Sequence, residues 1–212
     1  MSSRQLPKPG SYTPRTPLEK HCAYFDRNKD GLLTPWETWE GFRSLGYGIV
    51  LTFIGTVAIH LFLSYSTLDT WIPDPFFTVH LRNIHRCKHG SDTSVYERDG
   101  SVKPERMDWM FANFAASSSG IVGQSSSSSI LTSQKGSQKG LSLMDITRMI
   151  YSNRDLWDWS GWIGVMLEWG FLYALAGQDG VIPEEAIRGQ YDGTLFYEIE
   201  ARRRNNQNKM MQ

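Results

Sequence analysis

The sequence predicts a mainly α-helical fold, and three observations carry that prediction. Apolar residues recur at three- and four-residue spacing, as in Met107, Met110, Phe111 and Phe114. A twelve-residue loop rich in side-chain oxygens, Asp26–Glu37, lies between two helical stretches. The most apolar run of the chain, Gly46 to Tyr65, follows at once. The 212 residues suffice for one modest domain with a real core, or two very small ones.

Taken in order, residues 1–17 carry Pro7, Pro9, Pro14 and Pro17 and read as a flexible N-terminal arm. Residues 18–45 form the first unit. Leu18, Cys22 and Phe25 share one helical face, the loop follows, and a second helix runs through Phe42 and Leu45. Residues 46–77 form an apolar, lipid-anchoring segment. From Ile49 to Leu63 it has no formal charge, and Thr52, Thr56 and His60 are its only polar side chains. Fifteen helical residues span about 22 Å and twenty about 30 Å, so the wider run is just long enough for a bilayer. A buried core helix is the competing reading. Pro73 and Pro75, one residue apart, force a turn. With Trp71, Phe76 and Phe77 beside them, they favour insertion at a lipid–water boundary.

Residues 78–201 make a C-terminal helical region. It opens with a His- and Arg-rich segment and a polar turn, Lys88–Asp92. Helices are expected at Pro104–Phe114, Leu141–Ile150, Trp157–Ala176 and Pro183–Gln190. The Ser-rich insertion 116–140 has too little apolar surface to offset its ordering entropy, and is expected to be disordered. The basic, polar tail 202–212 is expected to fray.

The loop carries the clearest chemistry. Asp26, Asn28 and Asp30 offer side-chain oxygens at positions 1, 3 and 5, and Gly31 permits the sharp turn at position 6. Leu32 offers its carbonyl, Thr34 sits at position 9, and Glu37 closes the set with two oxygens. This is the EF-hand pattern for Ca2+, a hard cation that takes about 6–8 oxygen ligands. Three carboxylates imply moderate affinity. EF-hands usually pair, and a degenerate hand at about 175–186 is the expected partner. With Gly180 at position 6, positions 1, 3 and 12 fall on Leu175, Gly177 and Ala186, none a carboxylate.

Composition narrows the rest. The net charge is +0, with 22 basic and 22 acidic residues, which gives no reason to expect nucleic acid as partner. Two cysteines, Cys22 and Cys87, are too few for a disulfide scaffold or a cysteine-built zinc site, and the sequence leaves their pairing open. No apolar signal-peptide run opens the chain, so the bulk is expected to face the cytosol. No G-x-S-x-G motif points to a serine hydrolase.

These features occur together, and in this order, in the caleosins, and the sequence resembles that family from about Leu18 to Phe196. The matching stretches are His21-Cys-Ala-Tyr-Phe-Asp26, Pro35-Trp-Glu-Thr38, Pro73-Asp-Pro-Phe-Phe77, Asn83-Ile-His85, Lys88-His-Gly-Ser-Asp92, Asn153-Arg-Asp155, Glu168-Trp-Gly170 and Asp179-Gly180. Two departures stand out: the knot retains chiefly Pro73 and Pro75, and the Ser-rich insertion is longer than the family pattern suggests.

The resemblance implies a calcium-binding haem b peroxygenase. Its expected location is the surface of lipid droplets or the endoplasmic reticulum membrane. Its expected partners are a lipid monolayer or membrane, fatty-acid hydroperoxides as oxygen donors and unsaturated fatty acids as acceptors. It also implies that His21 and His89 serve the haem, as ligand or as acid/base; spacing alone does not select them. His60 is expected to meet water or lipid, and His80 and His85, beside Arg82 and Arg86, to face headgroups. Two further functions compete: a non-catalytic, calcium-responsive droplet coat, and a soluble calcium sensor whose apolar segment binds a target or fills a core. Oligomeric state is left open.

Overall fold

The computed structural model describes residues 8–115 and 140–211, so the Ser-rich insertion lies almost wholly outside the described residues. The chain is mainly helical, as expected. In order it forms α1 (Pro17–Ala23), β1 (Leu32–Leu33), α2 (Pro35–Leu45), α3 (Ile49–Thr67), β2 (Val79–His80), a 3₁₀ helix (Leu81–Cys87), α4 (Pro104–Phe114), β3 (Gly140–Ser142), α5 (Leu143–Asn153), α6 (Trp159–Ala176), β4 (Val181–Pro183), α7 (Glu184–Asp192) and α8 (Leu195–Met210).

Local chemistry sets these boundaries. Thr16 caps α1 by accepting from the Glu19 amide, and Pro17 opens the helix, where its missing N–H costs nothing. Thr34 and Glu37 form a reciprocal capping box at the start of α2, which ends on the left-handed Gly46. Ser142 and Asp145 repeat the capping box on α5.

The strand pairing differs from expectation. The loop Asp26–Glu37 does not pair with the segment 175–186 expected as its partner. β1 pairs antiparallel with β2, Leu33 facing Val79, while β4 pairs with β3, Ile182 facing Leu141. The described strands thus form two separate two-stranded sheets. Leu33 is eighth in its loop; taking Val79 as eighth in the facing loop makes that loop Ile72 to Asn83. Of its positions 1, 3, 5 and 12, only Asp74 supplies a carboxylate. Asp74 is occupied by the amides of Phe76 and Thr78, at 3.1 and 3.0 Å. Phe77 takes position 6 with φ 52°, where Gly31 has φ 81°. A side chain in that conformation costs on the order of 1–2 kcal/mol.

Two apolar clusters follow from the pairing. One gathers Tyr24, Phe25, Leu33, Phe42, Leu45, Val79 and Leu81. The other gathers Met110, Leu141, Met149, Val165, Trp169, Leu172 and Ile187. α8 ties them together, because Phe196 belongs to the first and Leu195 to the second. The tail expected to fray instead continues α8 to Met210. Glu200 receives Arg27 and Arg204, and Glu198 pairs with Arg202 one turn on. The arm expected to be flexible is packed from Gly10 onward. The amides of Gly10 and Tyr12 bond the carbonyls of Asn28 and Lys29, and the buried Tyr12 donates to Glu19 at 2.8 Å.

α3 is inside out. Thr52, Gly55, Thr56, His60, Ser64 and Thr67 are its buried residues, while Ile49, Val50, Phe53, Val57, Leu61 and Tyr65 are exposed. Alone among the described residues, this helix is long and apolar enough to cross a membrane, and only 22% of its window is buried. A soluble core helix would be mostly buried.

Candidate functional site

The loop between α1 and β1 is held by its own hydrogen bonds. Asp26 accepts from the amides of Asp30 (3.2 Å) and Gly31 (2.8 Å), Asn28 accepts from the Asp30 amide (2.9 Å), and Asp30 accepts from the Leu32 amide (2.8 Å). Glu37 accepts from the Thr34 amide and hydroxyl, at 3.1 and 2.8 Å. Gly31 is required twice over. Its φ is positive, and a Cβ there would meet the Tyr12 ring at 2.8 Å. Burial raises the Asp26 carboxyl above its ordinary value, against the backbone donors that lower it. Among the described residues no three His, Cys, Asp or Glu side chains gather as a ready metal cluster. In this conformation the loop carboxylates accept hydrogen bonds from the loop itself. The fit to calcium rests on the donor set and spacing, which include the Asn28 amide oxygen and the Leu32 carbonyl beside three carboxylates.

His60 corrects an expectation. It meets neither water nor lipid: it is 3% exposed, with Nε2 2.8 Å from Thr38 Oγ1 and Nδ1 2.7 Å from the Phe77 carbonyl. His80 lies in β2 opposite Leu32.

His21 and His89 are held in like fashion from different elements. On α1, the Nδ1 of His21 lies 2.9 Å from the Gln190 carbonyl of α7, and its ring packs on Phe196. That contact makes Nδ1 the protonated nitrogen and leaves Nε2 with a lone pair. Burial pushes the imidazole down to about 4, so it is neutral at pH 7. His89 follows the 3₁₀ helix, with Nδ1 3.0 Å from Asp158 Oδ2. Asp158 also caps α6 through the Gly161 amide and accepts from the Ser91 amide. Burial raises its carboxyl, but those donors and His89 outweigh it and hold the group below the usual value. The His89 ring lies over Gly161 and Gly164 of α6. A Cβ on Gly161 would strike the ring, and one on Gly164 would come within 3.9 Å of Nε2.

Sequence reasoning passed over two members of this region. Asp158, which orients His89, carries no motif of its own. Glu168 was visible only as part of Glu168-Trp-Gly170. It lies one turn beyond Gly164 on α6, and burial raises its carboxyl to about 7. Its charge acts on Cys22, the neighbour of His21. Cys22 and Cys87 are unpaired, and burial pushes both thiols up to about 12, which makes them poor nucleophiles.

A family profile described as Caleosin, "Caleosin related protein", matches residues 13–200. The chain is 39% identical over 184 residues to the "Peroxygenase" of Lilium longiflorum, covering 86% of this chain and 69% of that protein. It is 31% identical over 193 residues to "Probable peroxygenase 4" of Arabidopsis thaliana, covering 91% and 89%. A third relative, "Probable inactive peroxygenase-like protein" of Arabidopsis thaliana, is 27% identical over 164 residues, covering 77% and 70%. No solved structure matches. With the profile spanning nearly all of the chain, and two relatives above 30% identity, the protein belongs to the caleosin family.

Proposed function

We propose that this chain is a calcium-binding haem peroxygenase of lipid surfaces, which passes oxygen from fatty-acid hydroperoxides to unsaturated lipids. Relatives named peroxygenase support the peroxygenase-type activity. One observation carries the haem reading. His21 and His89 both commit Nδ1 to a protein acceptor and leave Nε2 free, the arrangement that orients an imidazole for a metal. Haem b, if bound, would supply the redox chemistry of oxygen transfer.

The roles divide by partner. His89 would hold the iron, because the Asp158 carboxylate raises the basicity of its imidazole. His21, held by a neutral carbonyl and kept uncharged by burial, would orient the hydroperoxide. The apolar face of α3, with the exposed Trp71, Ile72 and Phe76, supports docking on a droplet monolayer or the endoplasmic reticulum membrane. The loop Asp26–Glu37 supports calcium binding beside that face, since β1 and β2 join the two.

A non-catalytic coat is the second reading, favoured by the relative named inactive. An absorption spectrum after expression with haem supply separates the two. A Soret band in the wild type, lost in His89→Ala, with hydroperoxide-dependent epoxidation of oleic acid, supports the enzyme. A colourless protein that still floats with lipid droplets overturns it in favour of the coat.

A further inference from the structure

The turn between α3 and β2 walls a cavity whose lining includes neither His21 nor His89. The space measures about 860 Å³ and lies between four segments: the arm at Tyr12, the loop Asp26–Glu37 at Gly31, residues 68–76, and the stretch carrying His80 and Arg82. Small-ligand pockets measure about 300–1,000 Å³, so there is room for a phospholipid headgroup and its glycerol. α3 sets the position. That helix turns its apolar side outward, and Leu68, the residue that caps its C-terminus, lines the cavity. Ile72 and Phe76 also line it and are exposed, and Trp71 beside them is 92% exposed. Bare aromatic and apolar side chains next to charged groups match the boundary between acyl chains and headgroups.

The lining carries charges of both signs. Some are engaged. Asp69 pairs with Arg86 at 3.3 Å and accepts from the Asn83 amide at 2.9 Å. Asp30 accepts from the Leu32 amide and belongs to the proposed calcium set. Two are available. Arg82 is exposed and makes no hydrogen bond or ion pair to a described residue. Asp74 bonds within its own turn, through the amides of Phe76 and Thr78, and forms no ion pair with a described residue. Burial works to raise its carboxyl, but the Thr78 and Phe76 donors, with His80 nearby, outweigh it and keep the group ionised at pH 7. The Asp74–Phe76 bond also holds a carboxylate and an aromatic ring side by side. That pair suits a quaternary ammonium, which is drawn both to negative charge and to the face of a ring. The unpaired guanidinium suits a phosphate, which it can grip with two donors.

We propose that this cavity is a phosphatidylcholine headgroup site, in which Arg82 takes the phosphate while Asp74 and Phe76 take the choline. This rests on the lipid-surface reading above and gives it a chemical preference. An apolar helix face alone places no demand on the headgroup; a cavity with one charge of each sign does.

The test uses the full chain in buffered calcium. Vesicles are of phosphatidylcholine, or of phosphatidylglycerol, which keeps the phosphate and has no ammonium. Wild type, Arg82→Gln, Asp74→Asn, Phe76→Leu and the combined Val50→Gln, Phe53→Gln and Leu61→Gln variant are compared by co-sedimentation, with urea midpoints as the check on folding. A phosphatidylcholine surface has no net charge, so changing one protein charge alters binding there only through a specific contact. The expected result is binding to phosphatidylcholine weakened about tenfold in each single variant. On phosphatidylglycerol, Asp74→Asn should bind at least as well as wild type. Wild-type binding to phosphatidylcholine in Arg82→Gln and Phe76→Leu, with the combined α3 variant impaired, overturns the headgroup site and leaves the lipid-surface reading standing. An equal loss on both lipids in Asp74→Asn also overturns it, marking a structural role for the turn. Arg82 and Phe76 are exposed, so their variants decide the matter if Asp74→Asn does not fold. A wild type that binds neither vesicle overturns the lipid-surface reading itself, a different result from either.

Discussion

The Nε2 of His60 lies 2.8 Å from the hydroxyl of Thr38, the residue directly after Glu37. Its Nδ1 reaches the Phe77 carbonyl at the end of the proline-containing loop. A single buried imidazole in α3 therefore joins the residue that follows the loop Asp26–Glu37 to the turn that follows the apolar helix. Replacing it with Ala breaks both bonds and leaves the buried Thr38 hydroxyl without its acceptor. His60→Ala is expected to lose on the order of 2–3 kcal/mol, read as a lower urea midpoint at unchanged slope. It should also weaken calcium binding, because Glu37 and Thr38 share the first turns of α2.

Glu37→Gln is expected to lower calcium affinity at least about tenfold, the equivalent of ~1.4 kcal/mol. Calorimetry on the full chain decides this. One site per chain is expected, since the facing loop offers only Asp74 and the hand at 175–186 lacks carboxylates at positions 1, 3 and 12. Unchanged affinity, or a second site of equal strength, contradicts the assignment.

The inverted burial of α3 makes its proposed lipid role testable without dismantling the fold. Deleting residues 46–77 would remove His60 and the loop leading into β2, so loss of binding would be ambiguous. Val50→Gln, Phe53→Gln and Leu61→Gln together change only exposed positions. Their combined effect on stability should be small, while flotation with phospholipid-coated droplets should fall sharply. Flotation equal to wild type would move the anchor elsewhere, for example to the exposed Trp157 and Trp159.

Asp158→Asn keeps the shape of the His89 partner and removes its charge. Haem retention is expected to drop about 10- to 100-fold, with the Soret band shifted in the protein that still binds. His21→Ala should keep the band but lose turnover. Reversed outcomes for the two histidines would exchange their roles.

Glu168 also predicts a pH dependence in the haem-free chain. Its folded value, about 7, lies above its ordinary value of 4.5. Between the two, the folded state holds the proton that the unfolded state has lost. Stability from this group is therefore full below the ordinary carboxylate range and falls as pH rises through about 7. Glu168→Gln should remove that slope and exceed the wild type at pH 8 while matching it at low pH. Denaturant midpoints across this range read the difference directly.

The loop Asp26–Glu37 and the amphipathic α4 were legible because ligand spacing and helical periodicity are local signals. The pairing of hands was not. It depends on strands of two or three residues, and the loop facing Asp26–Glu37 offers only Asp74 as a carboxylate and carries Phe77 at the turn where the first loop has Gly31. His60 misled for a related reason. Hydropathy averaged along α3 reports an apolar helix, whereas the fold turns its few polar residues inward as a set. Of the candidate haem region, His21 and His89 came from resemblance alone. Asp158 and Glu168 act through packing between segments far apart in the chain, which no spacing rule records.

The inside-out α3 has a consequence for handling the protein. In plain water its hydrocarbon side has nothing to lean on, and rotating it inward would strand Thr52, His60 and Ser64. Neither face offers a comfortable compromise, so lipid-free protein should hide the stripe against other copies of itself. The apparent size of the purified chain then becomes a property of the detergent, shrinking toward a single copy as micelles take the place of neighbours.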